Sequence, residues 1–138
     1  MTVVQKEGKV YISLEESLLF ASGMYEVNNN GFITLNKLSS VLANQKDLEI
    51  LIEGHTDSVP LSGKGFVKDN WDLSVMRATN VVKVLTQNND LNPTQLIAAG
   101  RSKYIPIQSN KTSEGRMANR RIEMIISPNL DDLFQLLD

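Results

Sequence analysis

The sequence predicts an α/β fold in which helices pack on one face of a single sheet. Short apolar or β-branched runs, typical of strands, alternate along the chain with segments whose apolar residues recur at helical spacing. Such alternation is typical of a layered α/β architecture. The length of 138 residues suits one domain with a single core. We therefore expect one domain over residues 1–138, with its folded core at about 10–127 and a tail at 128–138.

The first half of the chain contains two predicted strands and one predicted helix. Val10–Leu14 alternates in polarity and contains β-branched residues, which predicts a first strand. Ser17–Gly31 is polar and rich in asparagine and glycine, which predicts a loop. From Phe32 to about Gln45 the apolar residues fall at helical spacing, which predicts an amphipathic helix. Leu48–Glu53 is the second predicted strand.

A loop and a second helix follow. The segment Asp57–Asp69 contains a proline and two glycines, which predicts an exposed loop. The helix is predicted at about Leu73–Thr86, with Asp72 or Ser74 as its N-cap. Its buried stripe is expected to consist of Val75, Ala78, Val81, Val82 and Leu85.

Two more strands complete the predicted sheet. Leu96–Ala99 predicts a third strand, which ends in Gly100. After a polar loop at Pro106–Gly115, Arg121–Ile126 predicts the last strand. The apolar residues of Leu130–Leu137 form one stripe, so we expect a short amphipathic helix in the tail.

The composition excludes several classes of function. The formal net charge is -2, so no broad basic surface indicates nucleic acid binding, although Arg116, Arg120 and Arg121 form a local cluster. The chain has no cysteine, which excludes disulfides and thiolate metal sites. No apolar run approaches the roughly 20 residues that span a bilayer.

Two charged residues stand out because of their places next to predicted elements. Asp57 follows the strand that ends near Glu53, and Arg77 lies in the first turns of the next helix. An acid at a strand's end and an arginine at a helix's start can meet across a shallow cleft. Such a pair suits a ligand that carries both an ammonium and a carboxylate, because each charge finds its opposite. The alternative for Arg77 is a surface ion pair with Asp69 or Asp72.

Three motifs, in this order, resemble those of the OmpA-like peptidoglycan-binding domain family. They are Gly54-His55-Thr56-Asp57, Asn70-x-x-Leu73-Ser74-x-x-Arg77-Ala78-x-x-Val81-x-x-x-Leu85 and Gly115-Arg116-x-x-Asn119-Arg120-Arg121-Ile122-Glu123. The resemblance runs from about Ser13 to Ser127, and Val59-Pro60 with its long loop is similar to the MotB-type branch of the family. It implies a βαβαβ sandwich like the OmpA C-terminal domain, with helices on a mixed sheet and a short C-terminal helix.

The resemblance also implies a ligand and a location. The expected ligand is the meso-diaminopimelate of the peptidoglycan stem peptide, where diaminopimelate is the third residue. The family works in the periplasm, yet Met1–Val10 is too polar for a signal peptide. We therefore expect a domain excised from a longer protein, attached to the outer or inner membrane by an upstream anchor.

The resemblance assigns roles to individual residues. Asp57 would receive the ammonium of diaminopimelate, and Arg77 would hold its carboxylate in two parallel hydrogen bonds. Asn119 and Arg120 would lie near the pocket, whereas Arg121 would pair with an acid such as Glu53 or Glu123. The complete set of expected ligand-binding residues is Asp57, Arg77, Thr56, Asn70, Leu73, Asn119, Arg120 and Gly23.

Some of these assignments leave alternatives open. Asn70 can brace the loop or contact the ligand, and Leu73 belongs to the core as well as to the motif. Ser22 and Gly23 stand where some family members have asparagine, so backbone groups would replace that contact. Trp71, if partly exposed, could stack on sugar or peptide, whereas a buried Trp71 would anchor the loop; the anchor is the favoured interpretation.

Nothing in the sequence indicates an enzyme or a cofactor. His55 is the only histidine, so a metal site would lack partners, and no serine nucleophile stands at a familiar spacing from it. We expect His55 to be structural. The alternatives to a wall-binding domain are a dimerising module of a MotB-like flagellar stator, which would form a homodimer, and a cell-wall hydrolase.

Overall fold

The computed structural model describes residues 1–45, 47–63 and 65–128. The strands are β1 (Thr2–Lys6), β2 (Lys9–Glu15), β3 (Leu48–His55), β4 (Leu96–Gly100) and β5 (Arg121–Pro128). The helices are α1 (Glu16–Leu19), α2 (Asn29–Leu42), α3 (Asn70–Leu85) and α4 (Ser113–Asn119), with one 3-10 turn at Pro93–Gln95 before β4. None of these described helices has the length and apolar character needed to cross a membrane.

The five strands form one mixed sheet in the order β1-β2-β5-β3-β4. β5 lies between β2 and β3 and is antiparallel to both, whereas β3 and β4 are parallel. β1 pairs with β2 in an antiparallel hairpin at one edge. The predicted α/β class and the mixed sheet are therefore confirmed.

The core lies between one face of the sheet and helices α2 and α3. Side chains alternate across a sheet, so Ile50 and Ile52 of β3 and Ile122 and Met124 of β5 point to the same face, where all four are buried. Leu35 of α2 and Ala78, Val81 and Leu85 of α3 close this core from the other side. The expectation that the helices pack on one sheet is confirmed.

Gly54 allows α3 to pack directly on β3. A Cβ atom at this position would overlap the backbone carbonyl of Ser74 in α3, which cannot move without displacing the helix. The motif glycine therefore sets the separation between β3, which leads to Asp57, and the helix that carries Arg77.

We expect Gly54→Ala to destabilise the domain by roughly 3 kcal/mol, because overpacking against backbone forces the helix away from the sheet. Thermal unfolding followed by circular dichroism would show a melting temperature lower by roughly 10 °C. Gly8→Ala is the control, since Gly8 (φ +77°) has open space around it and would show only the cost of its left-handed backbone, ~1 kcal/mol. Equal losses in both variants would contradict close packing as the role of Gly54.

The N-terminal half differs from the prediction in three places. β1 was not predicted, because this edge strand is exposed along its whole length and has no alternating pattern of burial. The predicted loop Ser17–Gly31 contains most of α1 and the start of α2. Helix α2 begins earlier because the Asn28 side chain accepts the Gly31 N–H at 2.7 Å, so the asparagines form a cap as well as a loop.

The start and buried face of α3 also differ from the prediction. The N-cap is Asp69, which accepts the Asp72 N–H at 2.8 Å, while Asp72 accepts the Lys68 N–H at 2.9 Å. Val75 is 44% exposed, and Val84 is buried in the stripe instead.

Helix α4 lies partly in the predicted polar loop Pro106–Gly115. It is short and is capped by Thr112, whose hydroxyl accepts the Gly115 N–H at 3.0 Å. The strands predicted at Val10–Leu14, Leu48–Glu53, Leu96–Ala99 and Arg121–Ile126 are all present. The predicted tail helix Leu130–Leu137 lies outside the described residues.

Candidate functional site

The strand order brings three charged residues, Glu16, Asp57 and Arg120, together at the same end of three adjacent strands. β2 and β3 both end at the edge where β5 begins, and Glu15, Arg121 and His55 are paired in register across these strands. The residues just beyond this register are Glu16 after β2, Arg120 before β5 and Asp57 after β3. A cation therefore stands between two acids because of the topology alone.

Short ion pairs join these residues to Arg77 of α3. Arg120 Nη1 donates to Asp57 Oδ2 at 2.8 Å, and Arg120 Nε donates to Glu16 Oε1 at 3.1 Å. The second oxygen of Glu16 accepts from Arg77 Nη1 at 2.7 Å. We call this chain of four alternating charges, Asp57–Arg120–Glu16–Arg77, the charge row.

Arg77 is the most enclosed cation of the charge row, with only 3% of its side chain exposed. Its Nε donates to the Met24 carbonyl at 2.7 Å, and its guanidinium lies 4.7 Å from the centroid of the Phe20 ring. Burial lowers the pKa of Arg77 from its ordinary value, while the adjacent Glu16 carboxylate opposes that shift. The group stays charged at any physiological pH. Arg77 pairs with Glu16 and not with Asp69 or Asp72.

Arg120 is more accessible, with 29% of its side chain exposed. Partial burial disfavours its charged form, but the hydrogen bond to Asp57 and the attraction of Glu16 outweigh this, so its pKa lies above the ordinary value. Arg120 is thus a fixed charge that remains in contact with solvent.

Asp57 is held at the rim by its own loop. Its Oδ1 accepts the Val59 N–H at 3.0 Å, and the Asn70 side chain donates to the Val59 carbonyl at 3.0 Å. The neighbouring Thr56 donates its hydroxyl to the Asp57 carbonyl at 2.9 Å and its N–H to the Ser102 carbonyl at 2.9 Å. Asn70 therefore braces the loop and also lines the cavity described next.

A cavity of about 300 Å³ opens above the charge row. It is lined by Glu16, Ser22, Gly23, Thr56, Asp57, Val59, Pro60, Leu61, Asn70, Leu73, Arg77, Arg116 and Arg120. Seven of the eight expected ligand-binding residues are in this set, and Asn119 is not. Two carboxylates and three guanidiniums give this wall a formal charge of +1, so it presents both signs of charge to a small ligand.

Asn119 is fully buried beside the cavity and holds a loop. Its side-chain oxygen accepts the N–H groups of Ile107 and Gln108 at 2.8 and 3.0 Å. Its side-chain nitrogen donates to the Gln108 carbonyl at 2.9 Å and to Asn110 Oδ1 at 2.8 Å. The amide is thus engaged with the segment before α4, and the structure does not bring it into the cavity.

Arg121 points to the opposite face of the sheet from the core. Its Nε donates to Glu123 Oε1 at 2.7 Å, which is one of the two acidic partners expected. It also donates to the carbonyls of Asn119 and Ile105, each at 3.1 Å. Arg121 therefore fastens the loop that covers this face.

His55 is buried on the same face as Arg121. Its Nε2 lies 3.3 Å from Glu53 Oε1, and the other oxygen of Glu53 accepts from Arg101 Nε at 3.1 Å. The hydrogen bond from His55 and the bond and charge of Arg101 hold the pKa of Glu53 below its ordinary value, although burial opposes them. Across residues 1–45, 47–63 and 65–128, no group of three or more potential ligands is arranged to hold a metal ion.

Trp71 is half exposed, so the favoured interpretation of a buried anchor was wrong. Its side chain lies on the first turn of α3 and is 47% exposed, because Leu73 and Ser74 occupy the buried positions of that turn. The ring centroid is 5.5 Å from that of Tyr104, with the two planes tilted by 35°.

Glu16 and Arg116 are the charged residues of the cavity that the sequence reasoning missed. Glu16 lies two residues after the first predicted strand and Asp57 lies four residues after the second, and this placement was an available signal. The position of Glu16 after a strand did not by itself indicate a binding residue. Only the strand order shows that Arg120 lies between the two acids.

Comparison with known proteins agrees with this architecture. The sequence model of the OmpA family matches residues 19–120. Motility protein B of Bacillus subtilis (strain 168) is 37% identical over 127 residues, which cover 92% of this chain and 48% of that protein. The chain spans about half the length of the first curated relatives it matches.

Two solved structures are similar over nearly the whole chain. The periplasmic domain of Helicobacter pylori MotB has a TM-score of 0.84 and 28% identity, over 99% of this chain and 94% of that one. The cell wall anchor of the T6SS from Pseudomonas aeruginosa has a TM-score of 0.82 and 27% identity, over 92% of this chain and 87% of that one.

Proposed function

The chain belongs to the OmpA family, and on that premise we propose that it is a non-catalytic domain that binds cell-wall peptidoglycan. The ligand group is the zwitterionic end of meso-diaminopimelate in the stem peptide. The observation that carries the proposal is the cavity above the charge row, where Asp57 and Arg77 stand at opposite ends of four alternating charges.

Both ends of the charge row already have partners within the chain, so the ligand has to share or exchange them. The Asp57 carboxylate accepts one bond at each oxygen from the groups described above, and each oxygen can accept two. The ligand's ammonium binds Asp57 beside or in place of Arg120, which solvent reaches. The ligand's carboxylate then binds the guanidiniums of Arg77 and Arg120.

This exchange replaces one ion pair by another and leaves no buried charge without a partner. The cost of desolvating Asp57 and Arg77 has been met when the chain folds, so binding does not incur it again. A ligand with only an ammonium or only a carboxylate would leave a charged group of the charge row without an oppositely charged partner. The charge row therefore favours a zwitterion over a simple amine or a simple carboxylate.

We further propose that the domain is the wall-binding part of a longer protein that a membrane anchor holds on the periplasmic side. The similarity to Motility protein B, of which the chain spans about half, supports this assignment.

The test compares two wall peptides that differ only in the third residue of the stem. We expect the diaminopimelate tripeptide to bind roughly 5- to 150-fold more tightly than the lysine tripeptide in calorimetry, because the lysine peptide leaves a charged donor without its carboxylate. Equal affinities would contradict the proposed ligand. Purified sacculi incubated with the domain should release no soluble muropeptides, and release would instead support a hydrolase.

A further inference from the structure

A second cavity, of about 310 Å³, adjoins the first. The two share Pro60, Leu61 and Asn70 as lining residues, so the same loop borders both cavities. The floor of the second cavity includes the rings of Trp71 and Tyr104, which are 47% and 60% exposed.

From this juxtaposition we infer that Trp71 and Tyr104 form a platform for an amino-sugar ring of the glycan strand. This inference rests on the proposed function, because the stem peptide bound in the first cavity is attached to that strand. Large aromatic rings left half exposed are typical of binding surfaces, where an apolar face and a polar edge are both used. A pyranose presents the complementary surface, with C–H groups on its faces and polar groups at its rim.

The rim of the second cavity has the polar groups that such a ring requires. Lys68, Lys103 and Asp69 line it, together with Ser58 and Ser102. Lys103 Nζ lies 5.8 Å from the centroid of the Tyr104 ring. The cations suit the free glutamyl carboxylate of the stem peptide near the attachment point, and the hydroxyls suit the N-acetyl amide.

The platform is held rigidly to the first cavity. Ser102, just before Lys103 and Tyr104, has a left-handed backbone with φ 53°. Its N–H donates to the Ser74 hydroxyl at 3.0 Å, and its carbonyl accepts the Thr56 N–H at 2.9 Å. Ser102, two residues before Tyr104, is therefore bonded both to the helix that carries Trp71 and to the residue next to Asp57.

The stem peptide is a short connection between the two ligand groups. Two residues separate diaminopimelate from the sugar, and two extended residues span roughly 7 Å. Because the two cavities share three lining residues, we expect one wall fragment to reach both.

The experiment uses two probes, the disaccharide-tripeptide that contains diaminopimelate and the same tripeptide without sugar. We expect the parent chain to bind the disaccharide-tripeptide roughly three- to tenfold more tightly. Trp71→Ala and Tyr104→Ala should remove this difference and leave the affinity for the free tripeptide unchanged. Trp71→Phe should retain most of the difference. Because Trp71 is the only tryptophan, its fluorescence should respond to the disaccharide-tripeptide and much less to the free tripeptide.

Phe66→Ala is the matched control, because Phe66 is an aromatic residue of the same loop region with 88% exposure that lines neither cavity. It should leave both affinities unchanged. The inference is overturned if the parent binds both probes equally, or if Trp71→Ala weakens both by the same factor. Failure of the free tripeptide to bind would instead contradict the diaminopimelate site, and a sugar-dependent signal from Trp71 would still support the platform.

Discussion

Asp57→Ala should lower the affinity for diaminopimelate-containing wall fragments at least thirtyfold while the fold stays intact. Removing one partner of a desolvated charge pair costs ~2–5 kcal/mol, and roughly 1.4 kcal/mol corresponds to tenfold. The fold should survive because Arg120 keeps Glu16 as a partner at 3.1 Å and is accessible to water. Calorimetry with the tripeptide and circular dichroism on each variant would measure both effects.

Two further variants test whether binding depends on the charge of Asp57 rather than on its shape or on the net charge of the domain. Asp57→Asn keeps the shape and can still accept the Val59 N–H, yet it loses the charge, so it should bind nearly as weakly as the alanine variant. Asp90→Ala removes an exposed acid far from the cavity and changes the net charge equally, so it should bind like the parent. An asparagine variant with parental affinity would refute the ammonium contact.

Arg77→Ala should impair both binding and folding. Glu16 would lose its 2.7 Å partner, and the Met24 carbonyl would lose its donor. Breaking a buried ion pair by removing one partner costs ~3–5 kcal/mol, which lowers the melting temperature of a domain of this size by roughly 10 °C. Arg77→Lys should fold better than the alanine variant but bind weakly, because an ammonium cannot make the planar two-bond contact with a carboxylate.

A double variant distinguishes the structural role of Arg77 from its role in binding. Glu16→Gln combined with Arg77→Met removes both charges and keeps similar volumes, so it should recover most of the stability but none of the affinity. Lys83→Ala, an exposed cation on the same helix, is the control and should match the parent in both measurements. If Arg77→Ala unfolds at the parental temperature, Arg77 is not the buried structural partner of Glu16 described above.

The sequence was sufficient to predict four of the five described strands, the two long helices and seven of the residues that line the cavity. Asp57 and Arg77 were predictable because each belongs to a motif that resembles the family and lies near or within an element with a clear apolar pattern. Glu16 was not, because its importance depends on a neighbour that is more than 100 residues away in the chain. Asn119 was assigned to the cavity for a different reason. Its motif shows where the amide stands in the chain but does not show which groups that amide bonds. Trp71 was misjudged because helical periodicity does not tell how much of a first-turn side chain is covered.

The central place of β5 has a consequence for how this domain folds. It is the last described strand in the chain, yet it fills the gap between β2 and β3, and the Ser13–Glu123 hydrogen bond joins residues 110 apart. Closing a loop of that length costs entropy before any native pairing compensates for it, which slows folding. Without β5, no described strand pairs β2 with β3, and Arg120 is not placed between its two acids. We therefore expect the central strand of the sheet and the ligand site to form together, late in folding.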